Sequence, residues 1–509
     1  MKPIHKIDWD KYLSSKRYRE SEFASRSKDS TDKRNAFESD FGRVIFSSAL
    51  RRMHDKTQVV PMTSGDNIHT RLPHSLEVMS IAYSLGINYC RNEAVSAMYT
   101  PEERLKLEQT IPVILKTAAC VHDIGNPPFG HFGESVIKNW FIDRFKNDHT
   151  LPLDQERDFS EYDGNAQGFR VLTKQQYQGD LCGLNLTYAT LAAYLKYPNK
   201  GEKDKKGYIG DHKHGIFVNE RGIFNEIVKE CNMMKNGKIR RHPLAFLTEA
   251  ADTICYSVMD IEDGFIMNCY SFDELISGIN TWITSELDKL PAEKILGLDY
   301  YRRGTTKPFD ILELVKFSIH KTDYNDNLIE KSDRVKMTDL RVKLLAYLIE
   351  KAGCEFVSKL EAIDKGDYNQ ELVDADPYMI CKALSKYAIK KIFRRKDVER
   401  VELTGSSVIT GLLDIMSKYI LSDDEAYRNR IKNVLSNSMV KLARHEEEAG
   451  KTTELERKHV KYYAHEDMLD YDLKELSPYQ KFRLIVDNIS GMTDKYAVSL
   501  FRELSGSKL

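Results

Sequence analysis

The eight cysteines of this 509-residue chain, at 90, 120, 182, 231, 255, 269, 354 and 381, form no C-x-x-C pair. They are scattered, and the apolar surroundings of several suit reduced core thiols in a cytosolic protein. Glycine (27) and proline (14) fall below the roughly 7% and 5% of average usage, and β-branched alternation is scarce, which leaves little room for sheet. Neither sign of charge is in excess: 76 basic against 77 acidic residues gives a net −1. No whole-protein electrostatic case exists for nucleic acid or a membrane surface, and only a local basic patch could serve either. No apolar run approaches the about 18 residues of a membrane span, and MKPIHKIDWDKYLSSKRYRE has no apolar signal region. The expectation is a mostly helical, cytoplasmic protein with a core large enough to stand alone.

Residues 1–35 are dense in Ser, Lys, Arg and Asp and read as a mobile or partner-bound arm. Arg71-Leu72-Pro73-His74 opens a helix, with Pro73 well placed in its first turn. His74, Val78, Ile81 and Leu85 then recur at helical spacing, so His74 points inward among apolar neighbours. An apolar helix over 111–123 carries His122-Asp123 at its end, and Gly125, Asn126, Pro127 and Pro128 stop it. Residues 186–197 form another helix, and 199–215 a solvated loop. A strong helix over 243–263, ended by Gly264, sets Asp252, Tyr256 and Asp260 at i, i+4 and i+8 on one face.

An unpaired carboxylate on so apolar a helix is costly to bury, so Asp252 must be paired, hydrogen-bonded or metal-bound. His74, the His122–Asp123 pair and Asp252 share one property: each is a ligand-type residue on, or ending, a mainly apolar helix. Two imidazoles and two carboxylates leave room for water or substrate on a metal. The mixture suits Mn, Fe, Co, Ni or Zn, and Mg where substrate phosphates add oxygens. Taken singly, each is more often a satisfied core polar group. Three other clusters read as surface: His54-Asp55 in charged text, Asp211-His212-Lys213-His214 in the lysine-rich loop, and Arg444-His445-Glu446-Glu447-Glu448 on a helix face.

The ordered set His74 … His122-Asp123 … Asp252 resembles the H…HD…D signature of HD-domain phosphohydrolases. Seven words narrow the resemblance to the bacterial dGTP triphosphohydrolase family: KTQVVP (56–61), TRLPHSLEV (70–78), HDIGNPPFGHFGE (122–134), GNAQG (164–168), LKY (195–197), HPLAFLTEAADTICY (242–256) and ISGMTD (489–494). The matches run in order from near residue 36 to near 500, and HDIGNPPFGHFGE is the most specific. Pro73 stands where the family usually has Thr, Thr253 where a second Asp is common, and Tyr162-Asp163 where Phe-Glu is usual.

The resemblance implies an all-α fold, with an HD-domain core over 36–280 and a helical region over 281–509 completing the nucleotide pocket and oligomer contacts. It implies hydrolysis of a deoxynucleoside triphosphate, dGTP first, at the α-phosphorus, releasing deoxynucleoside and tripolyphosphate. A divalent ion, Mg or Mn, would sit on His74, His122, Asp123 and Asp252. His131 would exchange a proton with the attacking water or leaving oxygen, with Glu134 orienting it and raising its pKa. Asn165, Lys196 and Lys213 would take the triphosphate; Gln58, Tyr197, Tyr256 and Asp260 the sugar. Tyr256 packed under C2′ would reject a 2′-hydroxyl. Glu402, in DVERVELTG (397–405), would accept from guanine N1–H and N2–H, with Arg430 a further anion or base contact. As partners the resemblance implies a symmetric homo-oligomer, a hexamer built from dimers, and admits single-stranded DNA. Two alternatives stand beside this reading. One is an HD phosphohydrolase of another nucleotide, against which Glu402 and the two lysines argue. The other is a nucleotide-sensing nucleic-acid-binding protein, against which the intact ligand set with His131 and Glu134 argues.

Overall fold

The computed structural model describes residues 4–19, 32–58, 70–146, 149–176, 181–201, 203–204, 206–302, 307–322, 328–450 and 471–507. It is essentially all-α: among the described residues, sheet is confined to two antiparallel two-stranded ribbons, Met234–Lys235 with Lys238–Ile239 and His320–Thr322 with Leu328–Glu330. No described helix is long and apolar enough to cross a membrane.

The chain divides into two compact units, each assembled from three stretches of sequence. The first comprises residues 1–6, 80–112 and 246–399. Its core follows helical spacing: Phe272, Leu275, Ile279, Ile283 and Leu287 fall on one face of the Phe272–Leu287 helix and are all buried. Each contributes about 1.5–3 kcal/mol by leaving water. Ser271 and Glu274 close that helix's N-terminus with a capping box.

The second unit comprises residues 7–79, 113–245 and 400–509. Its core joins Phe141, Phe159 and Phe482, whose rings lie 4.8–5.9 Å apart, with Leu412, Leu484, Ile485 and Ile489. Part of the polar N-terminal segment belongs to this core: Ile7, Trp9 and Tyr12 are buried, and the Tyr12 carbonyl accepts from His242 Nε2 at 3.2 Å. Residues 20–31 of the expected arm lie outside the described residues.

Several local expectations are corrected. The helix placed over 111–123 runs Pro101–Cys120, so it starts earlier, with Pro112 inside it, and ends before His122. An interior proline loses one backbone hydrogen bond and crowds the carbonyl a turn before it, at about 3 kcal/mol, which the packing of this helix outweighs. The helix placed over 243–263 continues through Gly264 to Ile266. Gly264 is there for space, since a Cβ would lie 2.5 Å from Ile392 Cδ1 and 2.7 Å from the Tyr270 hydroxyl. The helix over 186–197 is Tyr188–Tyr194, which leaves Lys196 and Tyr197 just past its end. His214 is no loop surface residue: it is buried, with Nε2 3.1 Å from Asp158 Oδ1. Nor is 444–448 simply an exposed face, because His445 and Glu446 are buried. His54 and Asp55 are exposed, as charged text suggests.

Candidate active site

His74 stands in the first turn of the Arg71–Cys90 helix, buried, with its ring centroid 5.3 Å from that of His122. His122 and Asp123 sit in the turn that follows Cys120. There His122 Nδ1 lies 2.8 Å from the Ala119 carbonyl. A carbonyl only accepts, so Nδ1 is the donor, and Nε2 is the nitrogen that a neutral ring would offer as a ligand. Asp123 is held from both sides: Arg71 ion-pairs with Oδ2, and Asn126 Nδ2 donates to Oδ1 at 2.7 Å.

The chain then turns sharply. Phe129 and Gly130 both adopt left-handed backbone, at φ 61° and 59°. A left-handed phenylalanine is costly and persists only where its surroundings hold it. Here its N–H donates to Asp494 Oδ1 at 3.0 Å. The Gly130–Phe145 helix begins at once, carrying His131 in its first turn and Glu134 three residues on, with Nδ1 and Oε2 3.3 Å apart. The hydrogen bond to Glu134 and its charge hold the exposed His131 above the ordinary histidine pKa; Arg71 opposes and Asp123 assists, both more weakly.

A cationic side faces the same region. Asp163 caps the Gly164–Arg170 helix, accepting from Asn165 N at 2.9 Å and Asn165 Nδ2 at 2.8 Å, and lies 3.3 Å from Lys213 Nζ. Burial opposes the Lys213 charge, but Asp163, Glu134 and Tyr197 outweigh it and raise its pKa. The Tyr197 ring centroid lies 5.7 Å from Lys196 Nζ and 6.0 Å from Lys213 Nζ. The backbone beneath is fixed, with the Lys196 carbonyl accepting from Arg241 Nε at 3.0 Å and the Lys213 carbonyl from Asn199 Nδ2 at 2.8 Å. At Gly164 a Cβ would lie 2.2 Å from Asn126 Oδ1 and 2.5 Å from Glu134 Oε1, so GNAQG and HDIGNPPFGHFGE meet there.

The remaining residues stand on other elements. Gln58 is half-buried, and its buried Oε1 finds no hydrogen-bond partner among the described residues. Glu402 lies on the Lys396–Ile420 helix one turn before Gly405, where a Cβ would lie 2.7 Å from the Phe129 ring. Arg430 is exposed on the Glu425–Val434 helix, its guanidinium 5.7 Å from the Tyr427 ring centroid. Asp252, Tyr256 and Asp260 belong to the first unit, on the Pro243–Ile266 helix. Asp252 and Tyr256 are half-buried among fully buried Ala251, Ile254, Cys255 and Val258; Asp260 is itself buried.

Sequence reasoning missed the ties that hold the turn. Lys56 is buried and donates to the Asn126 carbonyl at 2.6 Å and the Ser490 carbonyl at 2.7 Å. Burial first, then Arg52 and Arg71, lowers its pKa to about 7. Asp494 Oδ2 accepts from Thr57 Oγ1 at 2.6 Å while Oδ1 holds Phe129. Both residues lie inside words quoted above, KTQVVP and ISGMTD, but nothing local marks them as inward-facing. Behind them Arg170, fully buried, pairs with Glu220 (2.8 Å), Glu446 (2.8 Å) and Asp487 (2.7 Å).

Residues 420–503, which supply Glu446, Asp487, Ser490 and Asp494, match the phosphohydrolase-associated domain. The chain is 32% identical to a deoxyguanosinetriphosphate triphosphohydrolase-like protein of Listeria monocytogenes, over 98% of this chain and 100% of that one. A protein of the same description from Pseudomonas aeruginosa is 33% identical, over 93% of this chain and 94% of its own. The deoxyguanosinetriphosphate triphosphohydrolase of Yersinia enterocolitica is 30% identical over the same shares. Likeness of this extent, together with the fixed His122–Asp123 turn, means that the chain belongs to the deoxyguanosinetriphosphate triphosphohydrolase family of HD phosphohydrolases.

Proposed function

We propose that the protein hydrolyses dGTP to deoxyguanosine and tripolyphosphate with a divalent metal, Mg or Mn, and so controls deoxynucleotide pools. One observation carries the reading: a single pinned turn presents His122 and Asp123 on one side and the His131–Glu134 pair on the other. The donor set fits a metal. His122 keeps Nε2 for coordination, His74 lies against it, and Asp123 is fixed as a carboxylate by Arg71 and Asn126. With Asp252 as fourth ligand, the bound ion would supply Lewis acidity to the α-phosphate.

The protein's own groups do the rest. Lys196, Lys213 and Asn165 neutralise and orient the triphosphate through charge-assisted hydrogen bonds. His131, its pKa raised by the Glu134 hydrogen bond and charge, exchanges a proton with the attacking water or the leaving 5′-oxygen. Gln58 Oε1, without a partner among the described residues, is an acceptor suited to a sugar hydroxyl. Tyr256 and Asp260 bound the deoxyribose, Tyr197 lies between the lysines, and Glu402 reads the guanine edge, with Arg430 as its outlying neighbour. A symmetric cytoplasmic homo-oligomer belongs to the same reading.

The deciding experiment is a product assay with each of the four dNTPs, in Mg and in Mn. Deoxyguanosine with intact tripolyphosphate is the expected outcome; dGMP with pyrophosphate, or orthophosphate, would overturn the reaction.

A further inference from the structure

Apart from this site, the second unit contains a cavity of about 640 Å³, within the roughly 300–1,000 Å³ of small-ligand pockets. Arg34, Arg43 and Arg51 line it, and no acidic side chain does so among the described residues. Arg34 is already paired with Asp32, at 3.0 and 2.7 Å. Arg43 and Arg51 are not: they donate to the Leu184 and Phe46 carbonyls, at 3.2 and 2.9 Å, and keep further N–H groups to offer. The nearest buried carboxylate, Asp40, is committed elsewhere, 2.6 Å from Arg17 and accepting from Thr187 and Thr190. Like charge therefore crowds the wall. Burial, then Arg17, with Arg19 and Arg34 behind it, lowers the Arg43 pKa, and Asp40 only partly offsets this.

A second observation is independent of the arginines. Gln175, 3% exposed, ends the π-helical stretch Val171–Gln175 and lines the same cavity. Its buried Nε2 finds no hydrogen-bond partner among the described residues. A buried donor left unmade is unfavourable, and a bound acceptor would satisfy it. Beside the arginines stands Phe46, 77% exposed, an aromatic surface on which a planar base could stack.

We infer that this cavity binds an oligophosphate, either free tripolyphosphate or the phosphate chain of a nucleotide, on Arg43 and Arg51 with Gln175 donating to it. The site goes beyond the function proposed above and stands whichever nucleotide the HD turn takes. Guanidinium forks match phosphate oxygens in pairs, and two uncommitted arginines in one concavity suit a chain of charges better than a single phosphate.

Calorimetric titration of the full-length protein with sodium tripolyphosphate, and with a non-hydrolysable dGTP analogue, tests this. Lys213→Ala serves as the parent, to weaken phosphate binding at the HD turn. The parent should retain a tripolyphosphate site, and adding Arg51→Gln should weaken it about tenfold, with Arg43→Gln as well abolishing it. Arg51 is exposed, so its single variant decides the matter if the double variant does not fold. A Phe46→Ala loss confined to the analogue identifies a nucleotide as the ligand; equal binding of both probes identifies the free chain. A parent that binds neither probe, or Arg51→Gln binding both as the parent does, overturns the inference. A failed dGTP product assay would leave this result untouched.

Discussion

His131 and Glu134 are separated by one helical turn, and the carboxylate keeps the imidazole protonated to higher pH than a solvated histidine would be. Glu134→Gln removes that charge, so the His131 pKa falls. The limb of the pH–rate profile belonging to the imidazolium should then move to lower pH. His131→Ala should lower kcat by about 10²–10⁴ while dGTP still binds. Profiles of the three proteins, with equilibrium dialysis for binding, check both; an unmoved limb in Glu134→Gln would mean that His131 is not the titrating group. His74, His122 and Asp252 are legible in sequence because each is polar against apolar text, whereas His131 and Glu134 follow from the family resemblance. Lys56 is not legible: its partner Ser490 is 434 residues away, and a lysine whose neighbours cannot be seen looks like any surface lysine.

At the scale of the element, the helix carrying Asp252, Tyr256 and Asp260 and the turn at 124–130 could be read from periodicity and from Gly and Pro. Their ends could not. Pro112 and Gly264 suggest breaks locally, yet both sit inside helices because packing outweighs propensity. Gly405 gives a sharper case. Alanine would favour the Lys396–Ile420 helix by about 1 kcal/mol, but its Cβ would meet the Phe129 ring, and overpacking costs about 1–3 kcal/mol. Phe129 cannot withdraw without disturbing the turn that leads to His131. Gly405→Ala should therefore lose about 1 kcal/mol in urea unfolding and proportionally more in kcat. A variant as stable and active as its parent would show that the ring gives way without consequence.

At the scale of the whole molecule, composition announces the helical class but not how distant stretches combine. The second unit draws on residues 7–79, 113–245 and 400–509, and one buried arginine binds carboxylates from two of these. Removing Arg170 takes the guanidinium from Glu220 and Glu446 and leaves Asp487 with only Arg483, at 3.2 Å, and Gln167, at 3.1 Å. Arg170→Met should cost about 3–5 kcal/mol, read as a lowered midpoint in chemical unfolding. An unchanged midpoint would mean that the three acids protonate at little expense. Glu220, held near pKa 7 mainly by burial, is the first that would do so.

The hydrogen bond from the Phe129 N–H to Asp494 spans 365 residues. On the ribosome, at about 5–20 residues per second, roughly 20–70 s separate synthesis of the two ends. Throughout that interval the left-handed turn has lost its clasp, so a nascent or prematurely terminated chain carries His122, Asp123, His131 and Glu134 without the means to hold them in register. If the proposed function holds, hydrolysis waits on the stretch that carries Asp494, and chains that stop short of it would leave deoxynucleotides untouched.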